Sequence, residues 1–220
     1  ALEGGVAATA TASGMAALST ALLVLCSQGD HIVSSSRMYG ANINLLENTL
    51  TRFGITTSFI DPSDLDGIEK AIQPNTKMIF VCSPNNPTAN IMDAGAIQKL
   101  CETYADTALI IVDETYIEFS DQPSSIAKLD QFANLVVLRT LSKSHAAAGL
   151  RCGAAVARGD VTSLLQKVLA PYPLAAPVMA ATFPSSLLDI LRSCVVRTFD
   201  LPLHETTLKP WLQYNRRLDH

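Results

Sequence analysis

Lys143 and Arg151 stand eight residues apart in RTLSKSHAAAGLRCG, residues 139 to 153. Lys143 lies among small and apolar residues and has no acidic neighbour in this stretch, which predicts that its side chain is buried. Burial lowers the pKa of a lysine because it disfavours the charged form, and the neutral amine is the form that attacks a carbonyl. The setting therefore indicates an amine nucleophile at Lys143 and, at Arg151, a fork for an anion nearby.

Two further features complete the set of groups that can do chemistry. Asp113 ends the apolar run ALIIVDE, where a carboxylate is costly unless it has a cationic partner. Ser13 and Gly14 open a helical pattern, and the free N–H groups at a helix N-terminus form a ready anion site. An anionic group, a carbonyl and a basic ring nitrogen would match these residues, and pyridoxal phosphate (PLP) has all three parts.

Each residue also has an ordinary interpretation. A lone lysine is more often a surface residue than a catalyst, and Ser13 with Gly14 is often only a helix cap. A Ser142–Lys143 dyad is a weak alternative because adjacent side chains rarely face each other. The joint spacing of these residues, rather than any one of them, favours the PLP site.

The elements that must position these residues alternate along the chain. Apolar runs that predict strands are HIVSS, ITTSFI, KMIFVC, ALIIVDE, NLVVLRT and CGAAVA. Helical patterns between them include one from Ser13 to about Gly29 and one that stops at Gly54. Continuous apolar strands separated by helices indicate an α/β fold of three αβα layers around a mostly parallel sheet.

Polar residues follow three of these predicted strands. Ligands of such sheets bind at the carboxyl ends of the strands, so we expect the polar residues to converge there. They are Asn85 and Asn86 after KMIFVC, Asp113 at the end of ALIIVDE with Tyr116 after it, and Thr140 at the end of NLVVLRT with Ser142 and Lys143 after it.

Two segments of the chain resemble known families. VCSPNNPT, YADTALIIVDETYIEF, LRTLSKSHAAAGLRCG and LAPYPL resemble the large domain of histidinol-phosphate aminotransferases, in the aspartate-aminotransferase fold group, over residues 79 to about 178. ALEGGVAATATASGMAAL and GDHIVSSSRMYGANINLLENTLTRFGI resemble O-acetylhomoserine sulfhydrylases and cystathionine lyases and synthases, over residues 1 to about 78. These families share one fold and PLP as cofactor. Because the two segments resemble different families of this group, the sequence looks like a hybrid of two relatives.

The resemblance implies site roles residue by residue. Lys143 would form the Schiff base with PLP, Asp113 would keep the pyridine nitrogen protonated, and Tyr116 would join them in catalysis. Other implied contacts are Asn86 and Tyr116 to the phenolic oxygen, Tyr39 to the ring face, and Ser13, Gly14, Met15, Thr140, Ser142 and Arg151 to the phosphate. It also implies that CGAAVA is the antiparallel member of the sheet.

The sequence departs from these families at several positions. Ala89 replaces a turn glycine in NPTA, Thr115 replaces an alanine in DETY, and His145 in SKSH is expected beside the site. We also expect the families' N-terminal arm and small domain to be missing. Residues 1–180 are then a PLP-binding large domain, and residues 181–220 an appendage of unknown role that we expect to be helical.

Composition narrows the class of protein. The net charge of −4 gives no reason to expect nucleic-acid binding, and no apolar run is long enough to span a bilayer. The five scattered cysteines predict reduced thiols in a cytoplasmic protein, and the scattered histidines predict no metal site. The apolar surface left by a lost small domain predicts a homodimer or larger homo-oligomer.

Three functions remain open at this point. Aminotransferase-like chemistry on a small amino acid ranks first, because the lysine neighbourhood bears most directly on chemistry. Elimination or replacement on a sulfur amino acid ranks second, from the N-terminal resemblance. A folded hybrid that binds PLP with little or no activity is the third.

Overall fold

The computed structural model describes residues 7–169, 173–175 and 178. Seven strands within these residues form one sheet in the order β1-β7-β6-β5-β4-β2-β3. The strands are β1 (Ala7–Thr11), β2 (His31–Ser35), β3 (Thr56–Ile60), β4 (Thr76–Cys82), β5 (Leu109–Asp113), β6 (Leu135–Thr140) and β7 (Gly153–Ala157). All six strands predicted from apolar runs are present, and the sheet crosses residue 79 without a domain boundary.

The sheet is mostly parallel. The β2–β3, β2–β4, β4–β5 and β5–β6 pairs are parallel, whereas β7 is antiparallel to both β1 and β6. The α/β class and the antiparallel position of CGAAVA are therefore confirmed. Strand β1 was not predicted, because AATAT has small residues that carry little of the apolar signal of a strand.

The described part of the chain has five α-helices, of which four connect strands and the fifth follows β7. They are α1 (Gly14–Leu25), α2 (Gly40–Asn44), α3 (Leu65–Ala71), α4 (Ala94–Thr103) and α5 (Gly159–Val168). Side chains of Ser13, Asp64 and Asp93 accept hydrogen bonds from the first turns of α1, α3 and α4, as N-cap residues do.

Two predicted helix ends have different outcomes. Helix α2 continues through a π turn and a 3₁₀ turn to Phe53, and Gly54 ends it with a φ of 73°. Glycine adopts this left-handed conformation without strain, so the predicted stop is confirmed. Helix α1 ends at Leu25, several residues before the predicted end near Gly29.

Alternate side chains of the strands bury into two cores, one on each face of the sheet. On β4, Met78 and Phe80 join one core, while Ile79 and Val81 join the other. Helices α1 and α5 cover the first core, and α3 and α4 contribute to the second. The three predicted layers follow from this two-sided burial.

Two sequence expectations lie partly or wholly outside the described residues. The appendage over residues 181–220 is one, and the end of the large domain at residue 180 is the other. Within the described ranges, no helix has the length and apolar character needed to cross a membrane. No cluster of His, Cys, Asp and Glu suited to a metal ion occurs in that same part of the chain.

Candidate active site

One cavity of about 220 Å³ opens where β4, β5 and β6 end and α1 begins. All eleven site residues predicted from the sequence line it. They are Ser13, Gly14, Met15, Tyr39, Asn86, Asp113, Tyr116, Thr140, Ser142, Lys143 and Arg151. The strand ends thus converge as expected, although the role of each residue stays a prediction.

Asp113 is the acid of the cavity and the last residue of β5. Its Oδ1 accepts hydrogen bonds from the Thr115 hydroxyl at 2.6 Å and from the Thr115 backbone N–H at 3.0 Å. Burial raises the pKa of Asp113 above its ordinary value, and hydrogen bonds from Thr115, Asn42 and Cys82 partly oppose that rise. The carboxylate is therefore held in a fixed orientation at a place where a cationic partner is favoured.

Three residues around Asp113 were missed as site residues by the sequence analysis. Thr115 was noted only as a departure from a family motif, and Cys82 only among the five cysteines expected to be reduced thiols. Asn42, which is 2% exposed, reaches the cavity from α2 and also bonds Asp113. A polar residue inside a predicted helix gives no sign of which distant strand it will face.

Lys143 is exposed, so the expectation that its setting is buried is wrong. The segment after β6 is mostly irregular, and its small side chains, such as those of Ala146 and Ala147, cannot cover a long lysine. The Lys143 Nζ lies 5.9 Å from the centroid of the Tyr116 ring, in a cation–π arrangement. It lines the cavity, where its amine is accessible to a bound molecule.

A hydrogen bond from Asn86 orients the Tyr116 side chain. The Asn86 Nδ2 donates a hydrogen bond of 2.8 Å to the Tyr116 hydroxyl, which leaves the phenol proton for another acceptor. These two residues follow β4 and β5, so the bond joins two loops at the carboxyl edge of the sheet.

The opposite end of the cavity has the features of an anion site. Helix α1 begins there with Gly14, has no acidic residue in its first turn, and is capped by the Ser13 hydroxyl, which accepts from the Ala16 N–H at 3.0 Å. The Thr140 Oγ1 lies 3.0 Å from the Ser142 Oγ and donates toward a backbone carbonyl at 3.1 Å. Hydroxyls and helix N–H groups on one wall suit a phosphate oxygen.

Arg151 also lines the cavity. It is exposed and has a φ of 51°, and its Nη1 donates a hydrogen bond of 3.0 Å to the Ala148 carbonyl. Because Ala148 lines the cavity as well, this hydrogen bond keeps the guanidinium beside the cavity. A guanidinium placed there adds a positive charge to the anion end.

The other singled-out residues have mixed outcomes. Tyr39 precedes α2 and lines the cavity with half of its surface exposed. His145 is not among the residues that line the cavity, and its Nδ1 lies 2.9 Å from the Ser144 hydroxyl on an exposed loop. Ala89 has a φ of 57°, so the turn it occupies is one that favours glycine, as expected.

The residues that line the cavity fit both the phosphate and the ring of PLP. The first turn of α1, the hydroxyls of Thr140 and Ser142, and Arg151 suit a phosphate, while Asp113 suits a protonated ring nitrogen. The amine of Lys143 opens into the same cavity and suits the aldehyde. Fold and site together define a PLP-dependent enzyme with a three-layer α/β architecture.

Comparison with known proteins agrees with this class. The family model for Cys/Met metabolism PLP-dependent enzymes matches residues 1–124, which is more than half of the chain. The chain therefore belongs to this family, and its cofactor is pyridoxal phosphate. The match extends beyond residue 78, into the segment with the aminotransferase motifs.

Curated relatives also include aminotransferases. Histidinol-phosphate aminotransferase 1 of Legionella pneumophila (strain Paris) is 49% identical over 115 residues, which are 52% of this chain and 32% of the relative. Histidinol-phosphate aminotransferase of Photobacterium profundum is 49% identical over 115 residues and 30% of its own length. The chain thus spans about a third of the length of these relatives.

Solved structures share the fold. A PLP-dependent aminotransferase from Streptococcus suis has a TM-score of 0.64 at 28% identity, over 73% of this chain and 44% of that one. L-threonine-O-3-phosphate decarboxylase from Porphyromonas gingivalis has a TM-score of 0.68 at 20% identity, over 90% of this chain and 57% of that one. The second likeness concerns the fold alone.

Proposed function

We propose that the chain carries the PLP site of an aminotransferase that acts on a small amino acid. One observation carries this proposal: the Lys143 amine, the Asp113 carboxylate and the N-terminus of α1 line the same cavity. An amine, an acid and an anion site in this arrangement are what binding and use of PLP require. The aminotransferases among the relatives support the choice of reaction.

Asp113 sets the charge of the cofactor's ring. When bound, PLP supplies an electron-withdrawing ring that weakens the bonds at the substrate α-carbon. Asp113 holds a proton on the ring nitrogen, because an ionised carboxylate deep in the protein is stabilised by a cation beside it. The hydrogen bonds from Thr115 keep Oδ1 in a fixed position for that contact.

Lys143 and Tyr116 would act on the aldehyde and phenolic groups of the cofactor. The accessible amine of Lys143 would hold the cofactor at its aldehyde carbon, and the same amine, once free, would move the proton at the substrate α-carbon. The Tyr116 hydroxyl, which accepts from Asn86, donates to the phenolic oxygen of the ring. The backbone of α1, Thr140, Ser142 and Arg151 bind the phosphate and orient the ring for these steps.

Elimination on a sulfur amino acid is the second candidate. The family match over residues 1–124 favours it, since that family is named for cysteine and methionine metabolism. Both reactions would use Lys143 and Asp113, so these two residues do not distinguish between the candidates.

Product analysis tests these candidates. The PLP-loaded protein is incubated with an amino acid and an acceptor keto acid, and both the new keto acid and free ammonia are measured. Amino-group exchange without ammonia supports the aminotransferase proposal, whereas ammonia release from a sulfur amino acid supports elimination. Neither product, with PLP bound, supports a hybrid that binds its cofactor without turnover.

We also propose a cytoplasmic homodimer. The four described cysteines, Cys26, Cys82, Cys101 and Cys152, are buried and free, as in a reducing compartment. Phe119, Phe53 and Leu23 are each more than half exposed, and burial between two copies would remove this apolar surface from water. Sedimentation at micromolar concentration tests the assembly, and a monomer would contradict it.

A further inference from the structure

Gly153 lies where three strands meet beside the anion end of the cavity. It is the first residue of β7 and pairs with Thr11 of β1 on one side and Thr140 of β6 on the other. The turn formed by Ser13 and Gly14 follows β1 directly and begins α1. Residues that line the anion end therefore come from chain segments that all pass next to Gly153.

A side chain at position 153 has no space. A Cβ placed there would lie 2.5 Å from the Gly14 nitrogen and 2.6 Å from the Ser13 carbonyl oxygen, and it would also contact the Ser13 carbonyl carbon. These atoms are backbone, so they cannot move aside as the end of a flexible side chain can. Gly153 is extended strand, so close approach of the backbone, rather than an unusual φ, explains the glycine.

The missing side chain lets the Ser13–Gly14 turn rest directly on β7. There the turn also reaches Thr140, since a Cβ on Gly14 would lie 3.6 Å from the Thr140 Cβ, an ordinary contact distance. The Thr11 hydroxyl donates to the Ser13 carbonyl at 2.9 Å and holds the turn from β1. The first N–H groups of α1 and the Thr140 hydroxyl consequently lie side by side.

We propose that Gly153 is the positioning residue of the phosphate subsite. Its open Cα seats the Ser13–Gly14 turn close enough to Thr140 for helix N–H groups and the hydroxyl to bind one phosphate together. Gly153 does not contact the ligand; it sets the distance between two groups that do. This inference rests on the proposed function, because it takes the α1 end of the cavity as the phosphate end.

The test compares cofactors with and without the phosphate. Affinities for pyridoxal phosphate and for pyridoxal are measured by absorbance titration in the wild type and in Gly153→Ala. We expect the variant to bind pyridoxal phosphate at least about tenfold more weakly, the scale of one lost charge-assisted hydrogen bond, with its affinity for pyridoxal unchanged. An unchanged affinity for pyridoxal phosphate, or an equal loss for both ligands, would overturn the proposal.

Gly159→Ala is the matched control. Nothing lies within 4 Å of a Cβ built on Gly159, so this substitution should leave both affinities at the wild-type values. Circular dichroism and a thermal melt report whether each variant retains the fold. A general effect of adding a methyl group to a glycine would appear in both variants.

A second measurement decides the matter if Gly153→Ala does not fold. Inorganic phosphate is titrated into the isotopically labelled wild type, and the amide signals of Gly14, Met15 and Thr140 are followed by NMR. One shared dissociation constant is expected, whereas separate constants or no shifts would overturn the proposal. This titration does not involve Lys143, so absence of a Lys143 adduct with normal phosphate shifts would count against the proposed function alone.

Discussion

The Thr115 hydroxyl donates a hydrogen bond of 2.6 Å to Oδ1 of Asp113, and the Thr115 backbone N–H reaches the same oxygen at 3.0 Å. Threonine occupies the position where the aminotransferase motif has alanine, so the chain gains one donor to its central carboxylate. Donors to a carboxylate stabilise its charged form. The DETY sequence thus offsets part of the cost of burying Asp113.

Removal of that hydroxyl should raise the pKa of Asp113 further. Thr115→Ala deletes one of the hydrogen bonds that lower this pKa, while burial, which raises it, remains. Carbon-detected NMR of the Asp113 carboxyl over a pH titration measures the change. Thr107→Ala, at a position away from the cavity, is the control, and an equal or lower pKa in Thr115→Ala would contradict the account.

Asp113 should make the cofactor-free protein less stable as the pH rises. Its folded pKa is above the unfolded value of 3.8, so between these two values the folded chain binds more protons than the unfolded chain. Stability is then lost as the pH increases through the folded pKa. Asp113→Asn should remove this dependence. Urea unfolding at a series of pH values from about pH 4 upward measures it.

Asp121→Asn is the control for that series, because Asp121 is exposed. It should keep the wild-type pH dependence. The same Asp113→Asn variant should still bind PLP, but with much lower turnover, since a neutral pyridine withdraws electrons poorly. A variant with normal turnover would show that Asp113 does not govern the ring.

Much of the fold and the site was accessible from the sequence, for a physical reason. Strands buried on both faces are continuous apolar runs, and a parallel sheet brings their carboxyl ends to one edge. Asn86, Asp113 and Thr140 each follow such a run, so their convergence was predictable. The spacing of Lys143 and Arg151 after the same edge added the rest of the chemistry.

Other features depend on contacts between distant segments and were not predictable. Asn42 reaches Asp113 from α2, a distant segment of the chain, and β1 forms only because β7 offers it an edge. The exposure of Lys143 was predicted wrongly, because small neighbours in sequence were taken as evidence of burial. Small side chains also leave space, and here they leave the amine open to the cavity.

Ala89→Gly should stabilise the protein. Ala89 has a φ of 57°, a left-handed conformation that costs an L-residue with a Cβ about 1–2 kcal/mol and costs glycine little. After the greater entropy of an unfolded glycine is subtracted, we expect a net gain of about 1 kcal/mol in the free energy of unfolding. Ala147→Gly is the control, since Ala147 has a φ of −106° and should gain nothing.

His31 should make stability fall below neutral pH. Its ring is buried, with Nδ1 2.8 Å from the Thr76 hydroxyl and Nε2 2.9 Å from the Ser58 hydroxyl, and desolvation lowers its pKa. The folded state therefore binds fewer protons than the unfolded state just below the unfolded value of 6.5, and stability is lost as the pH falls through that value.

Unfolding in urea at several pH values measures the effect of His31. The acid-side loss should shrink in His31→Gln, at the cost of lower stability near neutral pH. His145→Gln should leave the pH profile unchanged, because His145 is exposed. A profile that is the same in wild type and His31→Gln would assign the loss to another group.

The central claim is that Lys143 is the residue that holds the cofactor, and mapping the adduct tests it most directly. The purified protein is incubated with PLP, reduced with borohydride, digested and analysed by mass spectrometry. The account predicts the reduced PLP adduct on Lys143, its loss with the visible absorbance in Lys143→Ala, and no loss in Lys99→Ala, which removes an exposed lysine of α4. An adduct spread over other lysines, or none at Lys143, would contradict the account.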